Sequence, residues 1–109
     1  MKNGQIDGKT WGIPFQRSTI VMYYNKDMFK EAGLDPNAPP KTWEELVTDA
    51  KALTRDGRWG IMVPSTGYPY WMFQCFAIQN GKELMNSEGT ETYFTDPKVA
   101  EALEFSRGL

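Results

Sequence analysis

The chain has 109 residues, one domain's worth, and a domain of that size buries about 60–65% of the surface its unfolded chain exposes. Its net charge of −2, with Lys and Arg scattered along the chain, gives no basic stripe to follow a phosphodiester backbone, so no nucleic acid partner is expected. One cysteine and no histidine exclude an internal disulfide and a zinc centre of the usual ligands, and no cofactor or metal is implied. No apolar run approaches the ~20 residues that span a bilayer. The opening MKNGQIDGKTWG has no hydrophobic core of a secretory signal peptide. Four Trp, five Tyr and six Phe in so short a chain fit a ligand-binding module, because aromatic rings stack on flat ligand faces as well as filling cores.

In chain order, Asp7-Gly8 between Gln5-Ile6 and Lys9-Thr10 is a hairpin signal. The stretch from about Trp11 to Tyr24 reads as a strand with Pro14 near its start, interrupted by the polar run Gln16-Arg17-Ser18-Thr19. Asn25 caps a helix over Lys26 to Ala32, and Gly33 stands where a left-handed residue ends it. Pro36, Pro39 and Pro40 make a stiff connector to Thr42-Trp43-Glu44-Glu45, a capping box. Trp43, Leu46, Val47, Ala50 and Leu53 then repeat at helical spacing. Asp56-Gly57 turns into Trp59 to Val63, an apolar strand of the sort a helix-covered sheet buries. A helix opens near Tyr68-Pro69-Tyr70-Trp71 and stops at Asn80-Gly81, with Cys75 on its core side as a buried thiol. Glu83 to Phe94 reads as a hairpin around Asn86 to Gly89, and Asp96-Pro97 starts the last helix. Helix and strand alternating across tight loops predict an α/β fold.

Ligands of open α/β sheets bind beyond the carboxyl ends of strands, which places the loop Ser65 to Trp71 first among candidate sites. Tyr70, Tyr68 and Trp71 offer stacking faces for a sugar or polyol, and Ser65 offers a hydroxyl. The alternative is that Tyr70 and Trp71 form the buried first turn of their helix. The second candidate is the polar run: Arg17 can clamp an anion bidentately, and Ser18 and Thr19 carry hydroxyls, the alternative for Arg17 being a solvated strand end. Catalysis is not expected. Asp27, Glu31, Asp35, Glu44 and Glu45 fall on helix surfaces or caps rather than as a convergent pair, and the chain holds no Ser-His pair and no phosphate-binding or dinucleotide-binding glycine loop.

On these residues the chain resembles the extracytoplasmic solute-binding proteins of ABC importers, the family of maltose-binding and glycerol-3-phosphate-binding proteins. The resemblance runs through Gly12-Ile13-Pro14-Phe15, Ser18-Thr19, Tyr23-Tyr24-Asn25-Lys26-Asp27-Met28-Phe29, Ala32-Gly33-Leu34-Asp35-Pro36, Pro39-Pro40-Lys41-Thr42-Trp43-Glu44-Glu45, Gln79-Asn80-Gly81 and the helix from Asp96-Pro97. It is nearest to the glycerol-3-phosphate binders, in which the serine matching Ser18 contacts ligand and an aromatic matching Tyr70 packs against it. Those relatives usually have a small polar residue at the position of Arg17 and tryptophan at that of Tyr70.

The resemblance implies a periplasmic-binding-protein-like (type II) lobe fragment, a mixed sheet covered by helices. Residues 1–24 would be the β-ribbon and hinge-crossing strand from the first lobe, and residues 25–109 part of the second. The parent would sit in the periplasm or outside the cytoplasm, capture a sugar, polyol or glycerol-3-phosphate-like solute, and deliver it to a membrane ABC permease. Both ends read as cut, so surfaces meant for absent segments would be exposed and the chain would self-associate. The rival readings are a fragment of a carbohydrate-active enzyme and a self-associating fragment without ligand binding.

Overall fold

A computed structural model describes residues 4–16 and 18–109. Its elements in order are β1 (Gln5–Ile6), β2 (Lys9–Thr10), α1 (Lys26–Glu31), α2 (Trp43–Leu53), α3 (Pro69–Gln79) and α4 (Pro97–Gly108). β1 and β2 are antiparallel, pairing Gln5 with Thr10 and Ile6 with Lys9. The turn between them needs two residues at positive φ, and Asp7 (51°) and Gly8 (72°) supply them. At the ribbon's base the Trp11 amide donates to the Gly4 carbonyl at 2.7 Å. The Gly12 carbonyl occupies the space a side chain at Gly4 would need.

α1, α2 and α4 each begin on the cap their sequence carries. The Asn25 side chain accepts from the amides of Asp27 and Met28, and Asp96 accepts from Lys98. Thr42 Oγ1 accepts from the Glu45 amide, and the Glu45 carboxylate reaches back to the Lys41 amide at 2.7 Å, one residue earlier than a strict capping box places it. α1 ends as its sequence predicts. With Gly33 at φ 77°, the Leu34 amide donates to the Phe29 carbonyl and the Gly33 amide to that of Lys30, the two bonds of a Schellman motif. Gly81 ends α3 in the same way, through Lys82 to Ala77 and Gly81 to Ile78.

The core is helical. Phe76 and Ala77 of α3 meet Val99 and Ala102 of α4, with Met72, Phe73, Leu84, Phe105 and Leu109 around them. The two alanines are wholly buried and let the helix backbones approach. Trp43, from the start of α2, covers one end of this core: its ring lies 4.2 Å from Phe105 and nearly parallel to it, edge-on to Phe76 at 6.1 Å, and its Nε1–H donates to Gln79 Oε1 at 3.0 Å. Asn80 joins α3 to α4 by donating to the Lys98 carbonyl and to Glu101. Cys75 is half-buried, with the Gln79 amide nitrogen 3.6 Å from its sulfur, so it is not the fully buried thiol the sequence suggests.

A second, smaller cluster holds α1. Tyr24 packs on buried Phe29 at 5.0 Å and donates its hydroxyl to the Pro36 carbonyl. Glu31 pairs with Arg58 at 2.8 Å and with Arg55 at 3.5 Å, fixing the end of α1 to the turn after α2.

The predicted strands differ. Among the described residues the one sheet is the β1–β2 ribbon, not a mixed sheet under helices. Positions 12–16 and 18–24 form no regular element and join no ladder, and neither does 59–63, which bends at Gly60. A segment becomes a strand only when another backbone takes up its amides and carbonyls, and no described segment forms a ladder with either one. Gly60 is still firmly placed: its amide donates to Thr54 Oγ1, and its bare α-carbon abuts the Ala50 carbonyl, where a side chain would collide. The expected hairpin of 83–94 is reduced to one bridging pair, Met85 with Thr92, closed by the Asn86 side chain accepting from the Thr90 and Glu91 amides.

The molecule is correspondingly open. Its radius of gyration is 17.5 Å, against about 13 Å for a compact domain of this size.

Candidate functional site

The start of α3 carries a cluster of rings on the surface. Gly67, at φ 81°, turns the chain out of the Pro64–Thr66 segment, and Pro69 at the first helical position sets the helix direction. Tyr68, Tyr70 and Trp71 then project together. Tyr68 and Trp71 stack at 4.7 Å and 18°, while Tyr70 stands edge-on to both, at 6.1 Å and 5.7 Å. They remain 61%, 54% and 43% exposed. Tyr70 and Trp71 are therefore not the buried first turn that was their alternative. α3 itself buries Phe76 and Ala77, one to two turns further on.

Three rings packed against one another with their outer faces in water form an exposed aromatic wall. Such a wall takes the C–H faces of a sugar or the carbon chain of a polyol, and the phenol and indole groups add hydrogen bonds at its rim. No side chain caps the first amides of α3. Ser65 is exposed in the segment leading into the cluster.

The remaining sequence candidates are not drawn into it. Ser18 and Thr19 are exposed on the 18–24 segment, and among the described residues neither they nor Ser65 bond to the rings. Arg17 lies outside the described residues. Four of the five carboxylates named from sequence are engaged locally: Glu31 by two arginines, Glu45 at a cap, Asp35 accepting from the Asn37 amide, and Asp27 beside Lys30.

One further concavity was not anticipated. Trp43, Glu44, Val47, Thr48 and Phe105 line an open groove of about 370 Å³. Trp43 reads from sequence only as a helix-facing residue. Its partner Phe105 belongs to another helix, and local spacing carries no signal of that pairing.

Comparison with known proteins agrees with the sequence resemblance. The profile described as bacterial extracellular solute-binding protein matches residues 1–109. The sn-glycerol-3-phosphate-binding periplasmic protein UgpB of Yersinia pestis is 40% identical over 80 residues, 67% of this chain and 18% of its own length. Its counterpart in Yersinia enterocolitica is 42% identical over 84 residues, covering 68% of this chain and 19% of that protein. A Brucella abortus protein named only as a binding protein is 35% identical over 111 residues, covering 95% of this chain and 25% of its own. The chain thus spans about a fifth to a quarter of the length of these relatives. No solved structure matches it. The match over its whole length places the chain in the bacterial extracellular solute-binding protein family.

Proposed function

We propose that this chain supplies part of the ligand-closing lobe of a solute-binding protein that captures a sugar, polyol or glycerol-3-phosphate-like molecule outside the cytoplasm and presents it to a membrane ABC permease. The observation that carries the reading is the exposed wall of Tyr68, Tyr70 and Trp71 at the start of α3. In this reading Tyr70 is the principal stacking residue. Ser18, Thr19 and Ser65 donate hydrogen bonds, and Arg17 takes the anionic end of a phosphorylated solute. Residues 1–24 are the ribbon and hinge-crossing strand from a first lobe, and 25–109 belong to the second, type II in arrangement. Their unpaired segments are ladder strands of the sheet in the longer protein. Capture is then lobe closure over the bound solute, with no covalent step.

The names of the Yersinia relatives favour a phosphorylated polyol over an uncharged sugar. Calorimetric titration of glycerol-3-phosphate and, separately, maltose into the full-length product that carries this chain tests the proposal. Saturable heat with glycerol-3-phosphate and a smaller or absent response to maltose is expected, and heat from neither overturns it.

A further inference from the structure

The Gln79-Asn80-Gly81 motif lies away from the aromatic wall, at the far end of α3, and solute capture makes no use of it. Asn80 is the C-cap residue of that helix and is half-buried. Its side-chain amide directs both protons at α4: Nδ2 donates to the Lys98 carbonyl at 2.8 Å and to Glu101 Oε2 at 2.9 Å. A carbonyl and an ionised carboxylate only accept, so this clasp between the two core helices exists only while residue 80 is a donor.

Among the described residues Asn80 is also the one asparagine followed by glycine. An asparagine in that setting is chemically labile, because no side chain shields the following amide nitrogen. That nitrogen loses its proton to solvent and bonds to the asparagine Cγ; the Cγ–Nδ2 bond breaks, and the amide leaves as ammonia after taking up a proton. Water then opens the resulting succinimide at either carbonyl, giving aspartate or isoaspartate. The closed clasp keeps the reacting atoms apart. Asn80 sits at ψ 4°, which turns the Gly81 nitrogen out of the plane it must share with Cβ and Cγ in a five-membered ring. The Gly81 amide is also engaged, donating to the Ile78 carbonyl at 2.9 Å. Ring closure therefore requires the end of α3 to open first.

We infer that Asn80 is a spontaneous deamidation site that makes the α3–α4 clasp one-way: protected while closed, it reacts during local opening, and its product does not close again. An aspartate at this position has no proton to give, and it sets a second carboxylate against Glu101 and the Lys98 carbonyl. Lys98 Nζ lies beside Gly81, and a carboxylate that turns to it leaves the clasp open. Isoaspartate also lengthens the backbone at the point where Gly81, at φ 85°, and the Lys82-to-Ala77 hydrogen bond end α3. The inference does not rest on solute binding.

Peptide mapping by mass spectrometry tests it, on the full-length product incubated in warm, mildly alkaline buffer with and without urea. Deamidation at Asn80 is expected to run at least about tenfold slower in the folded protein than in urea, since reaction in the folded state waits on the open fraction. Asn80→Asp should speed amide exchange over residues 77–82 and 97–101 more than Asn80→Ala does, because alanine loses the same two hydrogen bonds without adding a charge. Should Asn80→Asp fail to fold, the two deamidation rates of the wild type decide alone. Equal rates with and without urea, no reaction at Asn80 in urea, or a folded Asn80→Asp that exchanges no faster than Asn80→Ala would each overturn the inference.

Discussion

Glu31 accepts a hydrogen bond from Arg58 and lies beside Arg55, and these contacts hold its carboxyl below the usual range. Asp96 is held low first by the Lys98 amide it caps and then by Lys82, against the opposing effect of its own partial burial. A carboxylate depressed in the folded state contributes stability that is present above its unfolded pKa, about 4, and is lost as pH falls through the lower folded value. Acid titration of the thermal midpoint should therefore show a fall beginning near pH 4 that is smaller in Glu31→Gln, most visibly at low salt, because the Glu31 pairs are exposed. Thr42→Ala removes the hydroxyl that accepts the Glu45 amide and should cost about 1 kcal/mol in urea unfolding. Asn25, Thr42, Asp96 and Gly33 were legible because a cap or a C′ glycine satisfies groups within four residues of itself. The stacking of Trp43 on Phe105 was not, since it depends on how α2 and α4 cross.

Helices and strands were unequally readable for a related reason. A helix completes its hydrogen bonds within its own sequence, so α1 to α4 stand close to where caps and periodicity put them. A strand depends on a second segment. Positions 12–24 and 59–63 have strand composition, yet among the described residues only the β1–β2 ribbon, whose paired residues are three and five positions apart, forms a sheet. The stable part of the molecule is accordingly the α3–α4 contact with Trp43 across it. Phe76→Ala opens a cavity where Trp43 and Phe105 meet α3 and should cost about 3–5 kcal/mol, a large share of the about 5–15 kcal/mol of an ordinary domain, lowering the thermal midpoint sharply. A substitution of the exposed Met62 should leave that transition within about 0.5 kcal/mol of wild type.

For the whole molecule, membership of the extracellular solute-binding family and an open shape point the same way. The chain, a fifth to a quarter the length of its relatives, presents an exposed aromatic wall and, among the described residues, segments that join no sheet. Sequence alone indicated which residues form the wall. Their mutual packing and exposure came from the turn at Gly67 and Pro69, which sets all three rings on one side of the start of α3. The proposed contact between this wall and the solute is tested by the affinity of the full-length product for glycerol-3-phosphate with Tyr70→Ala, set beside Trp59→Ala as an exposed aromatic outside the cluster. Tyr70→Ala should lose about tenfold or more, equivalent to about 1.4 kcal/mol, and Trp59→Ala should change little. Unchanged affinity in Tyr70→Ala would contradict it.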